Sequence, residues 1–186
     1  MDMNGVNYMA QHMQMEQKCV LIDLYEFYEK IIEQVRALIV AVRLYTGRAV
    51  DIIAYSLGVP VSRKAILGGK CVDTGEDLGR PLTRFIDTFV GIAGPNHGIS
   101  LQMGGLSIPG CAFSVLPVSN TQTGLYSGMC PTESTYLQDI NSIQGYEAKN
   151  IFSIYSKADQ LVGYTVCDKV KFLFTSSFRI DNNSLS

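Results

Sequence analysis

Ser56 stands in the run Ala54-Tyr55-Ser56-Leu57-Gly58, directly after a strand-like stretch in which five of the six residues Val50–Tyr55 are apolar or aromatic. This is the G-x-S-x-G nucleophile elbow with Ala at its first position. Such a turn carries a serine hydroxyl on a tight corner at the end of a sheet, and the N–H of the next residue helps to hold an oxyanion. The flanking residues must be small because strand and helix nearly touch there, and alanine keeps almost the clearance of glycine. The chemistry implied is acyl transfer, which needs a base to take the serine proton. The chain has two histidines, His12 and His97. His97 lies in a Gly94-Pro95-Asn96-His97-Gly98 loop, where it is either a base or a residue that structures the loop.

The elements around Ser56 alternate between helix and strand. Asp23 and Glu26 have the spacing of an N-terminal capping box. Tyr28, Ile31, Ile32, Val35, Leu38, Ile39 and Val42 then repeat in steps of three and four, which predicts an amphipathic helix ending near Gly47. Ala49–Tyr55 reads as a strand buried on both faces of a parallel sheet. Pro60 suits the first turn of a second helix, which runs to Leu67 and stops at Gly68-Gly69. Phe85–Ala93 and Ile151–Tyr155 read as further strands, and Tyr136–Ile140 as a short helix. Strand, helix, strand with right-handed crossovers gives an α/β fold with a mainly parallel sheet and flanking helices. Residues 1–22 have no defined role, 23–170 form the domain with a long loop over 99–150, and 171–186 form a divergent tail.

A chain of 186 residues with 47% hydrophobic and 17% charged residues is an ordered globular domain. A net charge of −2 gives no sign of a nucleic-acid partner. No stretch reaches the roughly 18 apolar residues of a membrane span, and the first residues lack the pattern of a signal peptide. The five cysteines, 19, 71, 111, 130 and 167, contain no C-x-x-C pair, which argues against zinc. Cys111 and Cys130 flank a polar loop and are the favoured disulfide pair. Asp73, Glu76 and Asp77 cluster without regular calcium-ligand spacing and read as a solvated loop. Asp87 and Asp139 read as a strand-end and a helix residue. Neither a metal nor a cofactor is expected.

The segments VDIIAYSLGVPVSRKAILGGKCVDTGEDLG, PLTRFIDTFVGIAGPNHG and NIFSIYSKADQLVGY closely resemble the class 2 lipases abundant in nematodes, small α/β-hydrolases. The resemblance implies that Ser56 is the nucleophile, that the Leu57 N–H is half of the oxyanion hole, and that Asp159 is the acid, on the same sheet edge as Ser56. It also implies an acylglycerol or other carboxylic ester as substrate and an extracellular location.

The chain departs from that family pattern in two ways. Both histidines precede Asp159, whereas the base of such enzymes follows the acid. The strands that precede the elbow strand, and the loop supplying the second oxyanion N–H, have no visible match. The expected fold is therefore a partial α/β-hydrolase with its early strands missing. An unpaired side of strand Ala49–Tyr55 would favour self-association. Two function classes stand: a serine lipase or esterase acting through Ser56, and a non-catalytic lipase-like chain, either a truncated product or a binder of a lipid or partner.

Overall fold

The apolar repeat after Asp23 folds as helix α1 (Leu24–Thr46) in a computed structural model that describes residues 24–72, 74–98, 101–103, 106–108, 133–156, 159, 165–166, 169–170 and 177–180. Gly47 ends the helix at φ +66°, its N–H bonded to the Arg43 carbonyl at 3.0 Å. This left-handed stop is the one glycine adopts without steric cost. The proposed capping box, the Cys111–Cys130 pair, His12 and Asp73 lie outside what is described of the chain.

Strand β1 (Val50–Tyr55) leads through a two-residue turn into α2 (Gly58–Leu67). A 3₁₀ turn at Thr83–Phe85 precedes β2 (Ile86–Ile92). Phe85, expected in that strand, belongs instead to the turn, where its N–H bonds the Leu82 carbonyl at 2.8 Å. The segment expected as a long loop holds an antiparallel pair, β3 (Leu101–Met103) with β4 (Leu106–Ile108), and the short helix expected at Tyr136–Ile140 forms as α3 (Thr135–Asn141). The Ser134 hydroxyl caps α3 by accepting the Leu137 N–H at 3.2 Å. Then come β5 (Asn150–Ser156), the small antiparallel pair β6 (Thr165–Val166) with β7 (Lys169–Val170), and β8 (Ser177–Ile180).

The main sheet has the order β1-β2-β5-β8, and every neighbouring pair is parallel. With helices packed against it, this is the arrangement of a partial α/β-hydrolase fold. The segment taken as a divergent tail contributes β8, which pairs with β5 from Ser153↔Ser177 to Ser156↔Ile180. Among the described residues no helix is long and apolar enough to cross a membrane.

One core joins Ile39 of α1, Ala54 of β1, Val59 and Ile66 of α2, Phe89 of β2 and Ile151 of β5. A second joins Ile32, Val61 and Ala65 to Tyr136, Leu137 and Ile140 of α3. Helix α2 lies between them and is buried almost all round.

The burial expected of two elements is corrected. Ile53 and Tyr55 are 75% and 70% exposed, so only the opposite face of β1, with Ile52 and Ala54, meets the core. Leu38 and Val42 of α1 are exposed at 62% and 37%. The reason is common to both. Among the described residues β1 pairs with β2 alone, so it is an edge strand, and nothing described beyond it covers the far flank of α1.

Gly94 follows β2 where the chain passes over the first turn of α2. A Cβ there would lie 2.6 Å from Val59 Cγ1. Gly94→Ala is therefore expected to lower stability by about 1–3 kcal/mol, the usual cost of overpacking. Combined with Val59→Gly it should cost less than the sum of the two single changes, because the Val59 Cβ and both methyls, which the new Cβ would meet at 2.6–2.9 Å, are gone. Urea unfolding of the four proteins measures this, and strict additivity would remove the close approach as the cause.

Candidate active site

Ser56 has φ +51°. A non-glycine residue in this left-handed region stores on the order of 1–3 kcal/mol, and such strain gathers at functional sites. The turn is held on both sides. The Ser56 N–H donates to the Ile92 carbonyl at 2.9 Å, extending the ladder to β2 by one bond, and the Ser56 carbonyl accepts the Val59 N–H at 3.0 Å. Leu57 then takes helical angles as the N-cap of α2. Ser56 thus sits at the positive end of the helix dipole, where developing negative charge is stabilised. Ser56 itself is half-buried.

The other non-glycine residue with positive φ among those described is Ala93, at φ +50°. Its N–H donates to the Ile154 carbonyl at 2.9 Å, so the corner after β2 repeats the corner after β1 one strand over. Sequence reasoning missed this second corner, although its Ala-Gly-Pro continuation was the available signal.

Asp159 follows β5, its N–H bonded to the Ser156 carbonyl at 3.3 Å, and it is half-buried. Because β1, β2 and β5 are adjacent and parallel, Ser56, His97 and Asp159 all follow the carboxyl ends of neighbouring strands. Ligands of open α/β sheets bind at this edge.

The His97 ring is engaged elsewhere. Its Nδ1 lies 2.9 Å from Glu133 Oε1. A carboxylate can only accept, so Nδ1 carries the proton and donates, and in the neutral ring Nε2 is left as the acceptor. Asn141 Nδ2 steadies the same carboxylate through Oε2 at 3.3 Å and donates to the Asn96 carbonyl at 2.8 Å. Glu133, which sequence reasoning did not single out, therefore orients His97 through Nδ1.

Beneath this loop lies a buried charge. Arg63 of α2 is 2% exposed and Glu147 1%. The guanidinium donates to Glu147 Oε1 at 2.8 Å, to Asn141 Oδ1 at 2.8 Å, to Asn96 Oδ1 at 3.2 Å and to the Ile140 carbonyl at 2.8 Å. Glu147 Oε2 has no hydrogen-bond partner among the described residues. The neighbouring Lys64 is equally buried and bonds Asp139 at 2.7 Å and the Lys70 carbonyl at 2.7 Å. Asp139 thus holds α3 to α2. Burial pushes the Tyr146 hydroxyl well above the ordinary tyrosine range, against the opposing pull of Arg63, whose guanidinium lies 5.7 Å from the ring. That hydroxyl donates to the Ile140 carbonyl at 3.1 Å.

The remaining candidates are structural. Asp87 sits 4.0 Å from Lys149 at the start of β2. Asp77 accepts the Gly79 N–H at 2.8 Å, and no group of side chains among the described residues could hold a metal ion.

A family model described as Lipase (class 2) matches residues 8–183. No curated protein matches the chain. Among solved structures it is similar to the mature form of the Bacillus licheniformis lipase BlEst2, at 15% identity and a TM-score of 0.39, over 68% of this chain and 47% of that one. The chain spans about half the length of that lipase.

Two outcomes follow from the buried charges. Arg63→Met strands the Glu147 carboxylate and is expected to cost about 3–5 kcal/mol in chemical denaturation. Adding Glu147→Leu should recover much of that loss, since an apolar pair needs no partners. The second outcome concerns pH. Tyr146 holds its proton more tightly folded than unfolded, so its contribution to stability is complete below the ordinary value of 10.0 and is lost as pH rises beyond it. Unfolding curves above pH 10 should fall less steeply in Tyr146→Phe, and parallel curves would refute the burial effect.

Proposed function

Because the chain belongs to the class 2 lipase family, we propose that it is built as a serine hydrolase of carboxylic esters, acylglycerols foremost, acting through an acyl-enzyme on Ser56. The observation that carries this reading is the left-handed Ser56 between the end of β1 and the N-terminus of α2. In the reaction Ser56 Oγ attacks the ester carbonyl carbon and gives its proton to a base. The oxyanion is held by the Leu57 N–H and the helix dipole. Collapse expels the alcohol, and water then attacks the acyl-serine to release the acid. Asp159 takes the acid position, orienting an imidazole and stabilising its charged form.

The base is the weak point. An imidazole oriented by Asp159 offers Nδ1 to it, but His97 Nδ1 is held by Glu133, and among the described residues His97 makes no hydrogen bond to Ser56. This favours slow turnover, and with it a second reading in which the chain binds a lipid or ester without efficient hydrolysis. Partners in either case are the ester or lipid and, through the open edge of β1, other polypeptide. The family resemblance extends the reading to an extracellular location and a nematode source.

Short-chain nitrophenyl ester hydrolysis and fluorophosphonate labelling test this. Loss of the base alone costs about 10⁶-fold in a comparable serine hydrolase, so the expected result is trace activity, abolished in Ser56→Ala and unchanged in His97→Gln. Equal loss in both variants would make His97 the base. No labelling of the parent above Ser56→Ala would leave the non-catalytic reading.

A further inference from the structure

Among the described residues β1 has no neighbour on the side away from β2, and that edge carries its own instructions for pairing. The Ser56 N–H points to β2, and backbone groups alternate sides along a strand. Ile52 and Ala54 therefore direct their N–H and C=O to β2, while Asp51, Ile53 and Tyr55 direct theirs to the free edge. Those same three residues have exposed side chains. Among the described residues nothing covers the flank of α1 above this edge either. Arg36 marks the side of α1 that faces α2, since it donates to the Ala65 carbonyl. Leu38, Val42 and Tyr45 lie roughly 120–180° around the helix from it, at exposures of 62%, 37% and 86%.

We infer that the occupant of this edge is a second copy of the chain, paired antiparallel along β1 about a two-fold axis at Ile53. The inference deepens the partner reading above and is independent of hydrolysis. The charge pattern selects both copy and register. With Ile53 opposite its own copy, each Asp51 carboxylate faces a Tyr55 hydroxyl of the other copy. An axis at Asp51 would set two carboxylates against each other, which is destabilising. The axis at Ile53 also pairs the outward N–H and C=O groups of all three residues. Because the axis is normal to the sheet, both α1 helices fall on one face, and their uncharged flanks meet. A standard interface takes about 800 Å² from each partner. Leu38, Val42, Tyr45, Ile53 and Tyr55 at their exposures offer an area on that order. The product is one continuous sheet of eight strands with β8 at both ends.

The full chain is expected to sediment as a dimer, and Ile53→Lys as a monomer with an unchanged circular dichroism spectrum. A second measurement reads the register. Hydrogen-bonded antiparallel partners have Cα atoms about 5.5 Å apart, within disulfide range. Ile53→Cys should therefore cross-link to itself under mild oxidation, well above the background of the parent cysteines. Asp51→Cys should cross-link to Tyr55→Cys when the two are mixed, but poorly to itself. A monomeric parent at high concentration would overturn the inference, as would an Ile53→Lys protein of unchanged mass. Asp51→Cys linking to itself as readily as Ile53→Cys would overturn the register. Fluorophosphonate labelling of the same samples keeps a failure here separate from a failure of the hydrolase reading.

Discussion

A guanidinium cannot sit in an apolar interior unless its donors are answered, and the carboxyl side of this sheet is arranged around answering Arg63. Its four bonds reach Asn96 after β2, Ile140 and Asn141 of α3, and Glu147 before β5. These groups belong to different parts of the chain, and one side chain of α2 brings them to fixed distances. Since α2 starts at the elbow, the bonds that satisfy Arg63 also hold the helix on which the geometry of Ser56 rests. Asn141 extends the same set to Glu133, and Glu133 to His97. The cost of this arrangement is visible in the second oxygen of Glu147, which is buried and lacks a partner among the described residues.

What sequence made legible was local. The elbow could be read because its requirements, an apolar strand, small flanking residues and a following helix, lie within about ten positions. The ends of α1 and α2 could be placed because Gly47 and Gly68 stop them with left-handed backbone. Asp159 could be placed on the same sheet edge as Ser56 once both strands were taken as parallel. The misses share a different cause. Arg63 and Glu147 are far apart in the chain, and nothing near either announces the other. An apolar run such as Val50–Tyr55 records a strand but not how many neighbours it has, so the exposure of Ile53 and Tyr55 was invisible. Strand β8, Ser177–Ile180, is too short and polar to declare itself, and it exists because β5 offers a free ladder.

The candidate site is correspondingly uneven. Its backbone parts are built: a left-handed corner after β1, a second after β2, and a helix N-terminus behind the first. Its side-chain parts are divided between two carboxylates. Glu133 holds the imidazole of His97, while Asp159 stands after β5 in a separate turn. The two carboxylates thus stand in different turns of the same sheet edge, and the ring is bonded to one of them, Glu133.

The order of the main sheet has a consequence for how the protein comes into being. Strands β1, β2, β5 and β8 lie side by side in the order in which they are translated. Each strand lies beside the one translated before it, so the described sheet grows along the chain in one direction only. Partners such as Phe89 and Ile151 are distant in the chain, and each addition waits on a slow crossover closure. The outer side of β1 is thus the side to which none of the later described strands is added, and a ladder left open there stays available to another strand while the rest of the sheet forms.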